Sequence, residues 1–187
     1  MRKMAHIGIL FVVFSISLGA GVHAQTEKGD WLIGGILDLN TSSENTNFEF
    51  SPNAGYFVIN NLAIGANMQI SYDKLGNLEV SSFGIGPFAR YYFTDAKIKP
   101  FFLGDMNFLN QKISTSAGSN TETAFNYFLG GGAAVFINEN VAIEGILGYD
   151  HTKVSDEDGS GGLRLRVGFQ FYLNRRQARN VRSSITR

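Results

Sequence analysis

Apolar and polar residues alternate one by one along much of the chain, and the clearest run lies between Leu62 and Tyr72. Apolar side chains stand at every second position of this run, with small or polar side chains between them. A period of two places successive side chains on opposite faces, so the run predicts a β-strand with two unlike faces. The preceding turn at 59–61, INN, uses asparagine, which tolerates the left-handed backbone of a tight reversal. The stretch 54–74 therefore predicts a β-hairpin.

The hairpin pattern occurs a second time further along the chain. FVINNLAI at 57–64 and FINENVAI at 136–143 share Phe, Asn, Ala and Ile at matching positions. Because hairpins of one kind recur, the sequence indicates a fold built by repeating antiparallel strand pairs.

Eight segments beyond residue 30 carry the same period, which predicts an all-β fold. They span 31–39, 48–58, 62–72, 83–93, 100–109, 125–137, 141–149 and 163–173. The expected connections alternate between short turns (59–61, 94–97, 138–140) and longer polar loops (41–47, 73–77, 111–123, 151–162). Tight turns at one end and long loops at the other are typical of a closed eight-stranded antiparallel up-and-down transmembrane β-barrel.

The distribution of lysine decides which face of the strands meets lipid. A soluble barrel of the lipocalin type carries Lys and Glu on its outward polar face. Here the lysines beyond the N-terminal segment lie in turns, loops or strand ends: Lys28, Lys74, Lys97, Lys99, Lys112 and Lys153. The polar face consists instead of Gly, Asn, Ser, Gln and Tyr, so we expect it to line a narrow lumen and the apolar face to contact lipid. Closure in lipid requires the last strand to pair with the first.

Aromatic residues are expected at both ends of the lipid-facing surface, as in membrane barrels. The predicted girdles are Trp31, Tyr56, Tyr91, Phe102 and Phe171 towards the short turns, and Phe48, Tyr72, Phe83, Phe108 and Tyr149 towards the long loops. A second aromatic set falls on the inner face and should fill the lumen: Phe57, Phe88, Phe101, Phe128, Phe136, Tyr92 and Tyr172.

The two termini differ from the strands in composition. Arg2 and Lys3 precede an apolar run of twelve residues, 7–18, and a small-x-small site at 22–24, which predicts a cleaved secretory signal peptide over 1–24. Of the 16 Lys and Arg residues these two leave with it, so 14 basic residues face 16 acidic ones and the mature chain carries about −2. A chain with this slightly negative charge gives no indication of nucleic-acid binding. With 0 cysteines, it gives no indication of thiol chemistry. The segment 174–187 has five arginines and no acid, and predicts a basic periplasmic tail after a barrel domain at 25–173.

These motifs resemble the small eight-stranded outer-membrane barrels of the OmpX and OmpA-barrel type and the related outer-membrane β-barrel domain proteins. The carriers are the signal peptide, PNAGYFVINNLAIG, FGIGPFARYYF and the closing strand RVGFQFYL, which looks like the signal read by the barrel assembly machinery. The resemblance implies an integral protein of the outer membrane, a monomer in contact with membrane lipid and lipopolysaccharide. One departure is the tail, because the family's chains often end at the terminal aromatic strand.

The candidate site consists of charges on the inner face. They are Asp38, Glu49, Arg90, Asp105, Glu144, Arg164 and Arg166. A desolvated lone charge is costly, so these groups should pair. From their heights on neighbouring strands, we expect Arg166 to pair with Asp38 and Arg90 with Asp105. Eight strands leave an interior just wide enough for side chains, which favours a packed lumen over an ion path.

No catalytic, cofactor-binding or metal-binding residue is predicted. His151 has Asp150 beside it and Ser155 four residues on, but this spacing matches neither type of outer-membrane lipid A acylase or deacylase. The acidic loop 156–158 lacks the closing Glu of a calcium loop. Three functions stay open: a structural or surface-interaction barrel acting through its loops, a narrow porin-like channel for small solutes and, less favoured, a lipid A-modifying enzyme.

Overall fold

Eight antiparallel strands form one closed barrel in the order in which they occur along the chain. The computed structural model describes residues 26–41, 45–76, 78–115, 118–154 and 158–174. The strands are β1 (Trp31–Thr41), β2 (Asn45–Ile59), β3 (Leu62–Leu75), β4 (Leu78–Tyr92), β5 (Ile98–Thr115), β6 (Gly118–Asn138), β7 (Val141–Val154) and β8 (Ser160–Leu173). The predicted signal peptide and all but the first residue of the predicted tail lie outside the described residues.

The barrel closes through β1 and β8, which confirms the prediction. Trp31 lies opposite Leu173, and the pairing continues to Leu37 opposite Val167. On its other side β1 pairs with β2 over its full length. Every strand therefore has a hydrogen-bonded neighbour on both sides over its central part, as a sheet in lipid requires.

The predicted long loops are largely strand, which corrects the prediction. The polar stretch 111–123 forms most of the outer part of the β5–β6 hairpin, where Gln111 pairs with Glu122 and Thr115 with Gly118. The same holds at 151–154, which β7 includes. Polar residues occupy both faces there, so the two-residue period of hydrophobicity ends although the backbone pairing continues. The two ends of the barrel thus differ in how far the strands extend; we call them the short-turn end and the long-hairpin end.

The turn at 59–61 is tight, as predicted. Asn61 adopts a φ of 65°, the left-handed conformation that asparagine tolerates. Its backbone N–H donates to the carbonyl of Thr26 at 2.8 Å, and Gly29 N–H donates to the carbonyl of Phe57 at 2.8 Å. The segment 26–30 is therefore fixed against the short-turn end.

The two faces of each strand separate as the alternation predicts. In β4 and β5 buried and exposed residues alternate one by one through the middle of each strand. Ile85 is 55% exposed and Phe108 63%, whereas Phe57 and Tyr92 are 0% exposed. All seven predicted lumen aromatics are buried. No helix among the described residues is long and apolar enough to span a membrane.

Candidate functional site in the barrel lumen

An aromatic plug fills the lumen near the short-turn end. It consists of Phe57, Tyr92, Phe101, Phe136 and Tyr172, each at most 1% exposed. The ring centroids of Phe136 and Tyr172 lie 4.7 Å apart and those of Tyr92 and Phe101 5.5 Å apart. Small residues lie opposite the large ones on the neighbouring strands, for example Ala63 beside Phe57 and Gly132 beside Phe101. This large-to-small pairing lets the rings meet across a narrow barrel.

A buried lysine lies below the plug at the short-turn end. Lys99 is 0% exposed, and its Nζ donates to the Oγ1 of Thr26 at 2.8 Å and to the Oδ1 of Asp95 at 3.3 Å. Thr26 in turn donates to the Oδ1 of Asn61 at 2.7 Å. The prediction placed Lys99 in the turn at a strand end and missed its burial, because the sequence does not show that segment 26–30 covers it.

Directly above the plug lies the lower ion pair, Arg90 with Glu144. Arg90 Nη1 is 2.7 Å from both carboxylate oxygens of Glu144, and the two side chains are 1% and 0% exposed. Tyr172 donates to Glu144 Oε1 at 3.0 Å, and the Tyr92 and Tyr172 hydroxyls are 2.8 Å apart. The Arg90 guanidinium also lies 4.5 Å from the centre of the Phe101 ring. One cation and one anion therefore pair here with additional hydrogen bonds from the plug.

The remaining charges form an upper charge cluster nearer the long-hairpin end. It contains Arg164, Arg166, Asp38, Glu49, Asp105 and Asp150. Arg166 lies 2.7 Å from Asp150 and 3.1 Å from Asp105, and its guanidinium stacks 3.8 Å from the centre of the Phe128 ring. Arg164 lies 2.6 Å from Glu49, with Asp38 at 3.8 Å and Asp150 at 3.9 Å. Two guanidinium groups thus face four carboxylates.

The structure places all seven predicted lumen charges inside the barrel, in two separate groups, but both predicted pairings are wrong. Arg166 contacts Asp105 and Asp150 instead of Asp38, and Arg90 contacts Glu144 instead of Asp105. The prediction compared heights on adjacent strands. An arginine side chain is long enough to cross a narrow lumen, so Arg90 on β4 reaches β7, and Arg166 on β8 reaches β5. Distance across the barrel, which the sequence does not contain, decides the partners.

Sequence reasoning missed Asp150, which contacts both arginines of the upper charge cluster. The alternation predicts that β7 ends at Tyr149, which leaves Asp150 outside the strand. Asp150 nevertheless keeps the two-residue period of the inward-facing Glu144, Ile146 and Gly148. Extending the predicted strand by one residue beyond Tyr149 places Asp150 on the inner face, which is the signal that could have found it.

A polar cavity lies in the middle of the lumen, between the lower ion pair and the upper charge cluster. Four amide side chains line it, Asn53, Asn67, Gln69 and Asn107, together with Glu49 and Asp105. We call it the amide cavity. Each of the four amides has a buried side-chain oxygen that accepts no hydrogen bond from the protein. Within the described ranges, no group of three or more His, Cys, Asp or Glu side chains is arranged to hold a metal ion.

A closed eight-stranded barrel with an apolar outer face, two aromatic girdles and a polar, charge-paired interior defines an outer-membrane β-barrel protein. The chain belongs to the family of the outer membrane protein beta-barrel domain, whose model matches residues 10–171. The protein is therefore located in the outer membrane.

Solved structures show the same fold at low sequence identity. Neisserial surface protein A shares 16% identity at a TM-score of 0.54, with 78% of this chain and 94% of that chain covered. The N-terminal β-barrel domain of Pseudomonas aeruginosa OprF shares 14% identity at a TM-score of 0.54, with 80% of this chain and 100% of that chain covered. No curated protein sequence matches the chain.

Proposed function

We propose that this barrel acts at the cell surface, through the hairpins of its long-hairpin end, and that its short-turn end faces the periplasm. The β5–β6 hairpin carries the proposal. β6 pairs with β5 from Gly118 onward but with β7 only from Ala124 onward. In the described part of the chain, the segment 118–122 therefore has a neighbouring strand on one side only. Such an edge presents backbone N–H and C=O groups that an extended segment of another protein can pair with.

The lumen supports this function over that of a porin-like channel. The aromatic plug and the lower ion pair fill the interior with side chains at most 1% exposed. A solute crossing the barrel would have to displace five aromatic rings and separate a desolvated ion pair. An eight-stranded barrel has no spare width to bypass them.

The surroundings of His151 likewise support a role without catalysis. Its ring lies 5.2 Å from the Tyr127 ring and 6.4 Å from the Tyr149 ring, so it packs within the outer aromatic girdle. Ser155, the hydroxyl considered as its partner, lies outside the described residues. Mass spectrometry of lipid A from cells with and without the protein tests this part: an altered acyl pattern that disappears with His151→Ala would contradict it.

The proposed partners follow from two exposed features of the barrel, the aromatic girdles and the closing strand β8. The exposed girdles would contact membrane lipid and lipopolysaccharide, and the closing strand β8, with exposed Phe169 and Phe171, would be read by the barrel assembly machinery during insertion. We further propose that the barrel works as a monomer, since β1 and β8 pair with each other from Trp31–Leu173 to Leu37–Val167 and so close the sheet.

The central test shortens the hairpin and leaves the barrel intact. Residues 112–121 are replaced by Asn-Gly, so that Gln111 and Glu122, which already pair, flank a two-residue turn. Cells carrying the wild type should bind at least one protein of a panel of serum and extracellular-matrix proteins, and the shortened variant should lose that binding. Thr121→Ser, which keeps the strand edge, serves as the matched control.

Two further measurements make the test specific. A heat-dependent shift in gel mobility must show that the shortened barrel still folds. Equal binding by both variants would contradict a role of the hairpin. In planar bilayers we expect no steady conductance, whereas regular open channels in the wild type would favour the porin-like alternative.

A further inference from the structure

The upper charge cluster leaves an excess of negative charge inside the barrel. Its two arginines face four carboxylates, and the lower ion pair is already neutral. Three of these carboxylates are almost fully buried: Glu49 is 4% exposed, Asp105 5% and Asp150 7%. Burial of uncompensated charge costs several kcal/mol or more, of the order expected for an ion in a low-dielectric interior. An additional positive charge would therefore stabilise the cluster.

The amide cavity supplies a second, independent observation at the same place. Asn53, Asn67, Gln69 and Asn107 are each at least 92% buried, since none exceeds 8% exposure, and each has an oxygen with no donor from the protein. Glu49 and Asp105, members of the upper charge cluster, line the same cavity. The Nε atoms of Arg90 and Arg166, which line the same cavity, also lack a hydrogen-bond partner. Buried polar atoms in native proteins are nearly always satisfied, so the four acceptors around one space indicate a partner that the protein itself does not supply.

The local sequence explains why the oxygens converge. Asn53 on β2 and Asn67 on β3 are paired opposite one another, and Gln69 follows on the same face two residues later. Asn107 on β5 enters from the other side; its amide nitrogen donates to Asp105 Oδ1 at 3.2 Å. That hydrogen bond directs the nitrogen towards the carboxylate and leaves the Asn107 oxygen for the cavity.

We propose that the amide cavity binds a monovalent alkali cation. Oxygen atoms of amides and carboxylates are the ligands that hard cations prefer. The neutral amides outnumber the carboxylates around the cavity, and the described residues offer no group of three carboxylate or imidazole ligands for a divalent ion. A single positive charge also reduces the excess in the upper charge cluster without overcharging a space that Arg90 and Arg166 border.

The route of entry is the long-hairpin end. The side chains of Arg164 and Asp38 are 31% and 18% exposed, whereas those of Arg90 and Glu144 are 1% and 0% exposed. Exposure thus falls from the upper charge cluster to the plug. A cation bound in the cavity would therefore exchange with the long-hairpin end, since the plug and the lower ion pair block the other side.

Thermal unfolding of the detergent-purified full chain tests the proposal without any variant. Melts are recorded by gel mobility in lithium, sodium, potassium and choline chloride at equal concentration. A ligand that binds only the folded state raises the unfolding midpoint, and the rise continues with the logarithm of ligand concentration once the site is occupied. We expect at least one alkali chloride to raise the midpoint above that in choline chloride, with a difference that grows in this logarithmic way. Equal midpoints in all four salts would overturn the proposal.

Two variants locate the effect. Gln69→Leu removes one of the four oxygens and should abolish most of the difference between alkali and choline salts. Gln170→Leu is the matched control, because Gln170 is a fully buried lumen amide that does not line the cavity. The Gln170→Leu variant should keep the difference in unfolding midpoint between alkali and choline salts. Loss of the difference in both variants, or in neither, contradicts binding in the amide cavity. A wild-type midpoint that rises on acidification and ignores the cation would show that protons supply the compensating charge.

Discussion

The two halves of the lumen contain the same charged residue types, but they differ in burial and in charge balance. Near the short-turn end, Arg90 and Glu144 are sealed, balanced in charge and hydrogen-bonded to Tyr92 and Tyr172. Near the long-hairpin end, two arginines share four carboxylates, partly in contact with solvent and next to unsatisfied amides. The same residue types therefore have two different effects in one barrel. The lower ion pair closes the interior, whereas the upper charge cluster keeps the excess negative charge on which the proposed cation site rests.

Removal of one partner from the lower ion pair should have the largest effect on stability. Glu144→Gln leaves the Arg90 charge buried without a counter-ion, which should lower the free energy of unfolding by about 3–5 kcal/mol. Urea unfolding in lipid vesicles, followed by the fluorescence of Trp31, measures this. The double variant Arg90→Met with Glu144→Met should recover most of the loss, because a well-packed apolar pair replaces a buried ion pair at little cost. A loss below about 1 kcal/mol for Glu144→Gln would show that the lower half is not sealed.

The two arginines of the upper charge cluster should differ from each other. Arg166 is 3% exposed in its side chain, holds two carboxylates and stacks on Phe128, so Arg166→Ala should cost about 3 kcal/mol. The Arg164 side chain is 31% exposed, so solvent screens its contacts and Arg164→Ala should cost about 1 kcal/mol. The same urea experiment compares the two. Equal losses would mean that Arg164 is as desolvated as Arg166.

The binary pattern predicted those parts of the molecule that depend on one strand and its two faces. It identified the seven lumen aromatics and nine exposed girdle residues because a period of two assigns each residue to a face; the tenth girdle residue, Tyr72, is half-buried. It also placed Asp38 and Arg164 on the inner face. Strand closure followed from the requirement that backbone groups be paired in lipid.

What the pattern could not provide is distance across the barrel. Arg90 and Glu144 lie 54 positions apart in sequence and meet only because the ring folds β4 opposite β7. The amide cavity is not predicted for a similar reason: Asn53 and Asn107 appear as ordinary polar positions until three strands, β2, β3 and β5, place the four amides around one space. The pattern predicts loops at the extended hairpins because polar residues on both faces remove the period without removing the strand.

A smaller effect tests how the plug supports the lower ion pair. Tyr172→Phe keeps the ring against Phe136 but removes the hydroxyl that donates to Glu144 and contacts the hydroxyl of Tyr92. The loss of one hydrogen bond to a charged group should cost about 1–2 kcal/mol. In the Glu144→Gln background the same substitution should cost less, since the acceptor is no longer charged. An unchanged cost in both backgrounds would indicate that the hydroxyl acts only through Tyr92.

The smallest effect is expected outside the membrane, at the tip of the β3–β4 hairpin. Lys74 and Glu79 form an exposed ion pair at 2.8 Å beyond the girdle residues Tyr72 and Phe83. Their hydrogen bond and mutual attraction raise the pKa of Lys74 and lower the pKa of Glu79. The contribution of Glu79 to the free energy of unfolding is therefore present above the pKa of Glu79 in the unfolded chain, and it is lost as pH falls through the lowered pKa of the folded state. The contribution of Lys74 is lost as pH rises through its raised pKa in the folded state. Exposed pairs of this kind contribute little, so Glu79→Gln should leave urea unfolding at neutral pH unchanged. A measurable loss at neutral pH that disappears in acid would mean that this hairpin tip is more rigid than its exposure indicates.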